Sequence, residues 1–416
     1  MFHKLKTINP LSLAFLLVVI AVSTSLTDST VNRNAFYLAT LFAIIAFIFS
    51  RPRTLSRDVI LTAIAVFCVS ISQAFWLWRF PALESLEINE EYLTSATRLL
   101  CGAVLIFTLG SLREKLDHKI ITFAKGLLVI GFFYATSIAL YLHEQSPEKR
   151  LEINTVATMT AYIYVLQSLL TVYVLTGWQS RYKHLAIAIV ILLSLWVILL
   201  TETRSSLLGY PIFLLLLLFR KHHFSCKNML IGFFVFLASA TATYYLFTTA
   251  TERLANSVNE LANYQKGDGN SSIGARISMW KAGAHAIEQM PEGQSAASRL
   301  KITAQYINQY EGGNPEALRN LTFHLHNDFI EAGSLQGLLG ILALIFFYLL
   351  IIHASIKYSH TKAVLLLLLL PTLVIGAVDT LFIDHRYVTN LTLMLAIYLC
   401  LQRSGLNSIG INAQKN

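Results

Sequence analysis

Charged residues are scarce in this chain. Of its 416 residues, 13% are Asp, Glu, Lys or Arg and 55% are hydrophobic, whereas soluble globular proteins carry about 25% charged residues. A soluble protein of this length would need a polar surface that so few charges do not cover. The composition therefore excludes a soluble enzyme and a disordered chain.

Cysteines are few, and the common nucleotide and metal motifs are absent. The four cysteines, Cys68, Cys101, Cys226 and Cys400, are not spaced as a disulfide framework or as metal ligands. The sequence has no Gly-Lys-Ser/Thr phosphate loop and no dinucleotide fingerprint. We therefore expect no ATP, no cofactor and no metal ion to take part in the function.

Long apolar runs dominate the remainder of the sequence. Runs of roughly 20 residues cross the hydrocarbon core of a bilayer as helices, which predicts an all-α polytopic membrane protein. We expect twelve spans, at 10–26, 34–50, 58–78, 92–112, 119–142, 155–176, 184–201, 205–220, 228–248, 331–353, 362–379 and 386–402.

Basic residues predict the orientation of these spans. The net charge is +9, and Lys and Arg are concentrated in alternate connectors, the pattern of cytoplasmic loops. Both termini are therefore expected in the cytoplasm. The predicted organisation is spans one to nine in 1–248, an outer loop subdomain in 249–330, and spans ten to twelve with a cytoplasmic tail in 331–416.

The outer loop has helical rather than random patterning. Apolar stripes run through 254–261, 273–287 and 300–307. Ser271 or Ser272 is a candidate cap of the second helix, and Asn314-Pro315 has the cap-and-first-residue pattern of a short further helix. We expect a small helical subdomain on the outer membrane surface.

A Thr-Glu-Thr-Arg-Ser-Ser turn lies between the seventh and eighth spans. Arg204 lies there at membrane level, beside Ser205 and the outward-facing N-terminus of the eighth helix, an arrangement that suits a phosphate or diphosphate. An arginine whose charge extends to lipid headgroups, followed by an ordinary serine cap, is an equally good interpretation of this turn alone.

Two further groups of polar residues are predicted to lie on the outer side. Arg276 lies near the start of an amphipathic helix, where a cation opposes the helix dipole and hints at an anionic partner. His324, His326 and Asn327 precede the tenth span, and a histidine at a helix N-terminus tends to stay neutral and able to accept a proton. Solvated arginines and structural histidines are the alternatives.

Acidic and basic residues also lie within or beside the spans. Asp379 is predicted at the end of the eleventh span, where an acid needs a partner; Arg386 could supply it. Arg98 is an intramembrane charge and a candidate second anion contact.

These features together resemble the O-antigen ligase group of the O-antigen polymerase/ligase superfamily of membrane glycosyltransferases. The resemblance covers the whole layout of twelve spans with a long outer loop between spans nine and ten. Its motifs are His326-Asn327 followed by Ile330 and Gly337, the Arg204-Ser205 turn, and Arg276 followed by Trp280. Asp379 is a weaker match, because Asp384 could fill the same role.

The resemblance implies a GT-C-like membrane fold and a specific reaction. A preassembled glycan would pass from undecaprenyl pyrophosphate to a sugar hydroxyl of lipid A-core, on the periplasmic face of the inner membrane of a Gram-negative bacterium. His326 would be the base, and Arg204 and Arg276 would stabilise the departing diphosphate. Ser205, Asn327, Asp379, Arg98 and His324 are the candidates for substrate binding.

Three alternatives remain at this point. An O-antigen polymerase uses the same chemistry with another lipid-linked glycan as acceptor, and a protein O-oligosaccharyltransferase uses a protein. A secondary transporter or flippase belongs to another class, but its charges would more often lie near the middle of the membrane. The candidates here cluster at the outer boundary, which favours an enzyme.

Overall fold

The computed structural model describes residues 9–52, 54–81, 87–219, 256, 259–264, 269, 271–358 and 364–402. Every regular element among these residues is a helix. A helical backbone satisfies its own hydrogen bonds, which an apolar chain needs inside a bilayer. Six helices, α2 to α7, and a seventh, α13, are long and apolar enough to cross a membrane.

The helices are numbered in chain order. The first eight are α1 Pro10–Thr24, α2 Ser29–Phe49, α3 Arg57–Arg79, α4 Glu87–Leu112, α5 His118–Gln145, α6 Ala157–Thr176, α7 Lys183–Leu200 and α8 Arg204–Phe219. The rest are α9 Ser272–Gln289, α10 Ala296–Tyr310, α11 Pro315–Asn320, α12 Asp328–Gln336, α13 Leu338–Lys357, α14 Leu370–Gly376 and α15 His385–Leu401.

Helices lie at eleven of the twelve predicted span positions. The ninth predicted span, 228–248, lies outside the described residues, and the stripe at 254–261 lies partly outside them, so the count of twelve stays a prediction. Several helices begin at a different residue from the one predicted. The α2 helix begins at Ser29 because Asp28 accepts hydrogen bonds from the N–H groups of Thr30 and Val31.

The prediction of a continuous helix for the tenth span is wrong. It is divided into α12 and α13 at Gly337, which adopts φ +68° and ψ −155°, a conformation open almost only to glycine. The eleventh span also differs. It contains a π-helical turn, Leu365–Leu369, and ends at Gly376, so Asp379 lies in the connector that follows.

The outer subdomain has the predicted helices where it is described. Ser271 caps α9, and Asn314 caps α11 with Pro315 at its first position. The three helices α9 to α11 share a small core that includes Ala275, Met279 and Ile307.

Helices α6 and α15 lie at the centre of the bundle and are buried along most of their length. The α15 helix packs against α4, α1 and α6, and α3 packs against α4 and α13. The connector 377–384 leads directly into α15 and contacts the start of α12. The starts of α6 and α12 thus contact this connector, while the start of α8 contacts α6 and α9 packs against α12.

Candidate active site

A histidine–aspartate pair lies at the centre of the site. The Nδ1 atom of His326 lies 2.9 Å from Oδ1 of Asp379, and the two side chains are 21% and 8% exposed. His326 stands immediately before Asn327, which caps α12. Its ring is therefore held at the edge of the bundle with one face still reachable.

The backbone of His326 is in the left-handed region, with φ +52°, which is uncommon for a residue other than glycine. The indole N–H of Trp280 donates a hydrogen bond of 3.0 Å to the carbonyl of His326. Residue Trp280 of α9 thus fixes the strained peptide that carries the histidine.

Both carboxylate oxygens of Asp379 form hydrogen bonds. Oδ1 also accepts the N–H of Thr380 at 2.9 Å, and Oδ2 accepts the hydroxyl of Tyr162 at 2.9 Å. Ser205 donates in turn to the Tyr162 oxygen at 3.3 Å. A hydrogen-bonded chain therefore runs from the start of α8 through α6 to His326.

Asp379 is held in its ionised form. Burial opposes ionisation, but the hydrogen bond with His326 and the electrostatic attraction of its neighbours, including Arg276, outweigh it, so the pKa of Asp379 lies well below its usual range. A charged Asp379 accepts the Nδ1–H of His326 and leaves Nε2 as the proton acceptor.

The start of α12 also holds the connector. Asn327 donates to the carbonyl of Ala377 at 2.8 Å, while Asp328 accepts the N–H groups of Leu381 and Phe382 at 2.7 and 3.0 Å. These bonds fix the position of Asp379 relative to His326.

His324 lies beside His326 rather than opposite to it. A helix that included both residues would point them about 200° apart, but α12 begins only at Asp328, and the two ring centroids are 4.3 Å apart. Burial, with a smaller contribution from the neighbouring imidazole of His326, lowers the pKa of His324 to about 4. His324 is therefore neutral near pH 7.

Arg204 is the first residue of α8, one position earlier than predicted. Its guanidinium forms a 3.0 Å ion pair with Glu260 of the outer loop, whose other oxygen accepts the N–H of Ile273 at the start of α9. Although burial opposes it, the bond to Arg204 helps to lower the pKa of Glu260. This pair joins α8 to α9.

Arg276 lies in the second turn of α9, four residues before Trp280. Its charge reaches both Asp379 and Tyr162 electrostatically. The structure thus brings Arg276, Ser205, Asn327, Asp379 and the two histidines together, and Arg204 joins them through Glu260.

Asp384 and Arg98 lie outside this group. Asp384 accepts the N–H groups of Arg386 and Tyr387 and so caps α15. The geometry selects Asp379, not Asp384, as the partner of His326, and Arg386 approaches Asp384 instead, at 4.0 Å. Arg98 donates to Thr389 on α15 at 2.9 Å.

Two further groups were not anticipated from the sequence. Tyr162 is one tyrosine among many in apolar helices, and nothing in its neighbours marks it. Arg299 and Glu331 form a 2.7 Å ion pair, 2% and 1% exposed, and Glu331 also accepts the N–H of Leu325. This pair holds the segment that carries both histidines.

Among the described residues, one group is arranged so that it could hold a metal ion. Ligand atoms of His324, His326 and Asp379 all lie within 4.8 Å of one another. The Nδ1 atom of His326 and both oxygens of Asp379 are already engaged in hydrogen bonds. A metal bound through these atoms would have to replace that network, which favours proton transfer over metal binding.

Comparison with known proteins shows a similarity to one family. A family model described as O-antigen ligase matches residues 189–345. The O-antigen ligase of Escherichia coli (strain K12) is 24% identical over 382 residues, 88% of this chain and 87% of the relative. The chain is similar to the O-antigen ligases.

A second relative is an uncharacterised protein of Haemophilus influenzae. It is 26% identical over 194 residues, 44% of this chain and 46% of that protein. The region matched by the O-antigen ligase family model contains Arg204, Arg276 and His326, whereas Tyr162 and Asp379 lie outside it. The resemblance predicted from the sequence is confirmed, and the apolar helices fit a multi-pass membrane protein.

Proposed function

We propose that this chain transfers O-antigen polysaccharide from undecaprenyl pyrophosphate to a sugar hydroxyl of lipid A-core on the periplasmic face of the inner membrane. The observation that carries the proposal is the His326–Asp379 pair at the outer ends of the helices, flanked by Arg276. The similarity to O-antigen ligases along 88% of the chain supports the choice of substrates.

His326 is the general base in this mechanism. With Nδ1–H donated to Asp379, Nε2 takes the proton of the acceptor hydroxyl as its oxygen bonds to the anomeric carbon of the donor. The bond from that carbon to the diphosphate breaks in the same step. A single displacement inverts the configuration at the anomeric carbon.

Tyr162 and Ser205 position the base rather than react. Tyr162 occupies the second oxygen of Asp379 and prevents the carboxylate from rotating away from His326. A base held in one orientation needs no reorganisation at the moment of proton transfer.

Arg276 and Arg204 stabilise the leaving diphosphate. Negative charge develops on the diphosphate as the glycosidic bond breaks, and guanidinium groups neutralise it with paired hydrogen bonds. Arg204 is held by Glu260, so a diphosphate at this end of α8 competes with Glu260 for the guanidinium. The diphosphate donor is already activated, and the transfer therefore needs neither ATP nor a metal ion.

The test is transfer by the purified protein. It receives a lipid-linked O-antigen donor and lipid A-core, with EDTA present and nucleotide absent, and the product is lipid A-core that bears the glycan. A strict requirement for a divalent metal would contradict the arginine-based account. Transfer to a second lipid-linked glycan instead of lipid A-core would make the protein a polymerase.

A further inference from the structure

Arg98 is a buried cation away from the catalytic pair. It lies on α4, is 5% exposed, and forms an ion pair with no carboxylate among the described residues. One guanidinium nitrogen donates to Thr389, while the buried Nε has no hydrogen-bond partner. An intramembrane charge is costly, and such residues normally have a functional partner.

The surroundings of Arg98 are themselves positive. Arg33 on α2 repels the Arg98 charge, and Arg98 and Arg386 both disfavour a charge on His385 at the start of α15, which leaves its ring as a neutral hydrogen-bonding group. The nearby acid, Asp384, is occupied by the cap of α15 and by Arg386. Asp384 attracts His385 electrostatically, but among the described residues no carboxylate forms an ion pair with Arg98 or Arg33.

The cluster adjoins an exposed, apolar surface of α2. The guanidinium of Arg98 lies 5.6 Å from the ring centre of Tyr37 on α2. On the same helix Leu38 and Leu41 are 45% and 51% exposed, as expected for side chains that face lipid tails. Arg33 is also exposed. The anion best placed to meet these cations is thus the headgroup of a lipid lying against α2.

The cluster is connected to the catalytic pair but separate from the donor arginines. Ser95, about one turn before Arg98 on α4, donates a 2.6 Å hydrogen bond to the carbonyl of Phe382 in the 377–384 connector. That connector begins beside Asp379 and ends before His385. Its six steps from Asp379 to His385 span at most about 20 Å, which is within the reach of a glycolipid headgroup.

We propose that Arg98, Arg33 and His385 bind a phosphate of the acceptor glycolipid and thereby present its sugar hydroxyl to His326. This inference rests on the proposed function. It assigns the two anionic substrates to different cations, the donor diphosphate to Arg204 and Arg276 and the acceptor phosphate to the Arg98 cluster.

Binding is tested first without donor, so that it does not depend on transfer. The full-length protein in nanodiscs is titrated with bisphosphorylated lipid A, with dephosphorylated lipid A and with phosphatidylglycerol. We expect preference for the bisphosphorylated form, weakened about tenfold by Arg33→Gln and by Arg98→Gln, since a charge-assisted phosphate contact is worth about 1.5–3 kcal/mol. Arg33 is exposed, so its variant remains informative if Arg98→Gln fails to fold.

The matched control is Arg79→Gln, an outer arginine paired with Glu292, which should bind like the wild type. Unchanged lipid A binding in the Arg33 and Arg98 variants would overturn the proposal. Equal binding of phosphatidylglycerol would also overturn it, because the cluster would then be a general anchor for membrane lipids.

Transfer kinetics separate this site from the proposed function. The Arg33→Gln variant should raise KM for the acceptor about tenfold and leave KM for the lipid-linked donor unchanged. A rise in the donor KM instead would overturn the assignment. If the wild type binds lipid A through the cluster but transfers no glycan, the proposed function fails and the binding site stands.

Discussion

His326 combines an uncommon backbone conformation with a position at the site centre. The left-handed φ of +52° costs about 1–2 kcal/mol in a residue with a side chain. The bond from Trp280 to its carbonyl and the bond to Asp379 offset that cost. A strained backbone conformation persists only where surrounding contacts hold it in place, and such conformations are concentrated at functional sites.

The two histidines are expected to differ in function although their rings are adjacent. His326→Ala should abolish transfer, because a general base contributes about 10²–10⁴-fold. His324→Ala should retain substantial activity, since its ring has no bond to Asp379. The measurement is lipopolysaccharide ladders in cells, compared at equal amounts of inserted protein. An inactive His324 variant beside an active His326 variant would reverse the assignment.

Tyr162 offers a second test at this scale. Tyr162→Phe should reduce transfer about tenfold without loss of protein, because it removes only the hydroxyl that holds Oδ2 of Asp379, and a bond to a charged group is worth about 1.5–3 kcal/mol.

The matched control is Tyr164→Phe on the same helix, whose hydroxyl bonds with Thr136 and not with the site. Purified variants are compared by initial rate and by the pH profile of that rate. Equal losses of activity in both variants would indicate a general packing effect and would remove Tyr162 from the positioning network.

At the scale of elements, the break between α12 and α13 decides where the site lies. At the break, the N–H of Leu338 donates to the carbonyl of Pro291, and the N–H of Gln294 donates to the carbonyl of Leu335, both at 2.8 Å. The loop after α9 thus satisfies backbone groups that a continuous helix would have paired internally. The break connects the outer subdomain to the tenth span.

Gly337→Ala should disrupt this junction. Its conformation costs a residue with a side chain about 1–3 kcal/mol, and a Cβ there would collide with the backbone of Pro291 and Gly293. We expect a lower melting temperature in detergent and reduced transfer. Gly126→Ala is the control, because a Cβ at Gly126 meets nothing within 4 Å. A Gly337 variant as stable as the wild type would refute this account.

Arg204 joins two elements and is predicted to be irreplaceable by lysine. Arg204→Lys should lose at least about tenfold in transfer rate, because a point charge does not reproduce two parallel hydrogen bonds to a diphosphate. Arg204→Ala should be no better.

The control for Arg204 is Arg319→Lys, an exposed arginine paired with Glu316, which should remain active. If the Arg204→Lys variant gave near-normal lipopolysaccharide ladders at a normal protein level, Arg204 would only contact lipid headgroups and would not bind the diphosphate.

At the scale of the whole molecule, the site lies at one end of the helices. Tyr162 near the start of α6 and His326 before α12 both contact the same connector, and Ser205 at the start of α8 contacts Tyr162. A membrane enzyme with lipid-linked substrates needs such a placement, because the reacting headgroups lie at the membrane surface while their tails stay in the bilayer.

The orientation of the bundle is a prediction that labelling can test. Two single-cysteine variants are made in a chain with all four native cysteines replaced by alanine. Glu148→Cys places a cysteine between α5 and α6, and Gln179→Cys places one between α6 and α7. An impermeant maleimide applied to spheroplasts should label the first and reach the second only after permeabilisation. The opposite result would invert the topology and place the site in the cytoplasm.

Sequence patterns predicted the positions of helices better than the contacts between them. Ser271, one of the two candidates, and Asn314 cap their helices as predicted, because an N-cap is a local signal in which one side chain bonds to the next few N–H groups. The break at Gly337 was not predicted, because glycine in an apolar run is also common in close helix contacts.

The sequence by itself determined that this is a helical membrane protein, because apolar runs of bilayer length have few other stable states. It also singled out His326, Arg204 and Arg276 through short motifs. Only the tertiary structure decided that Asp379, and not Asp384, pairs with His326, and that Tyr162 completes the network. Those contacts join residues 53 and 217 positions apart, and packing of distant helices, which no local pattern encodes, brings them together.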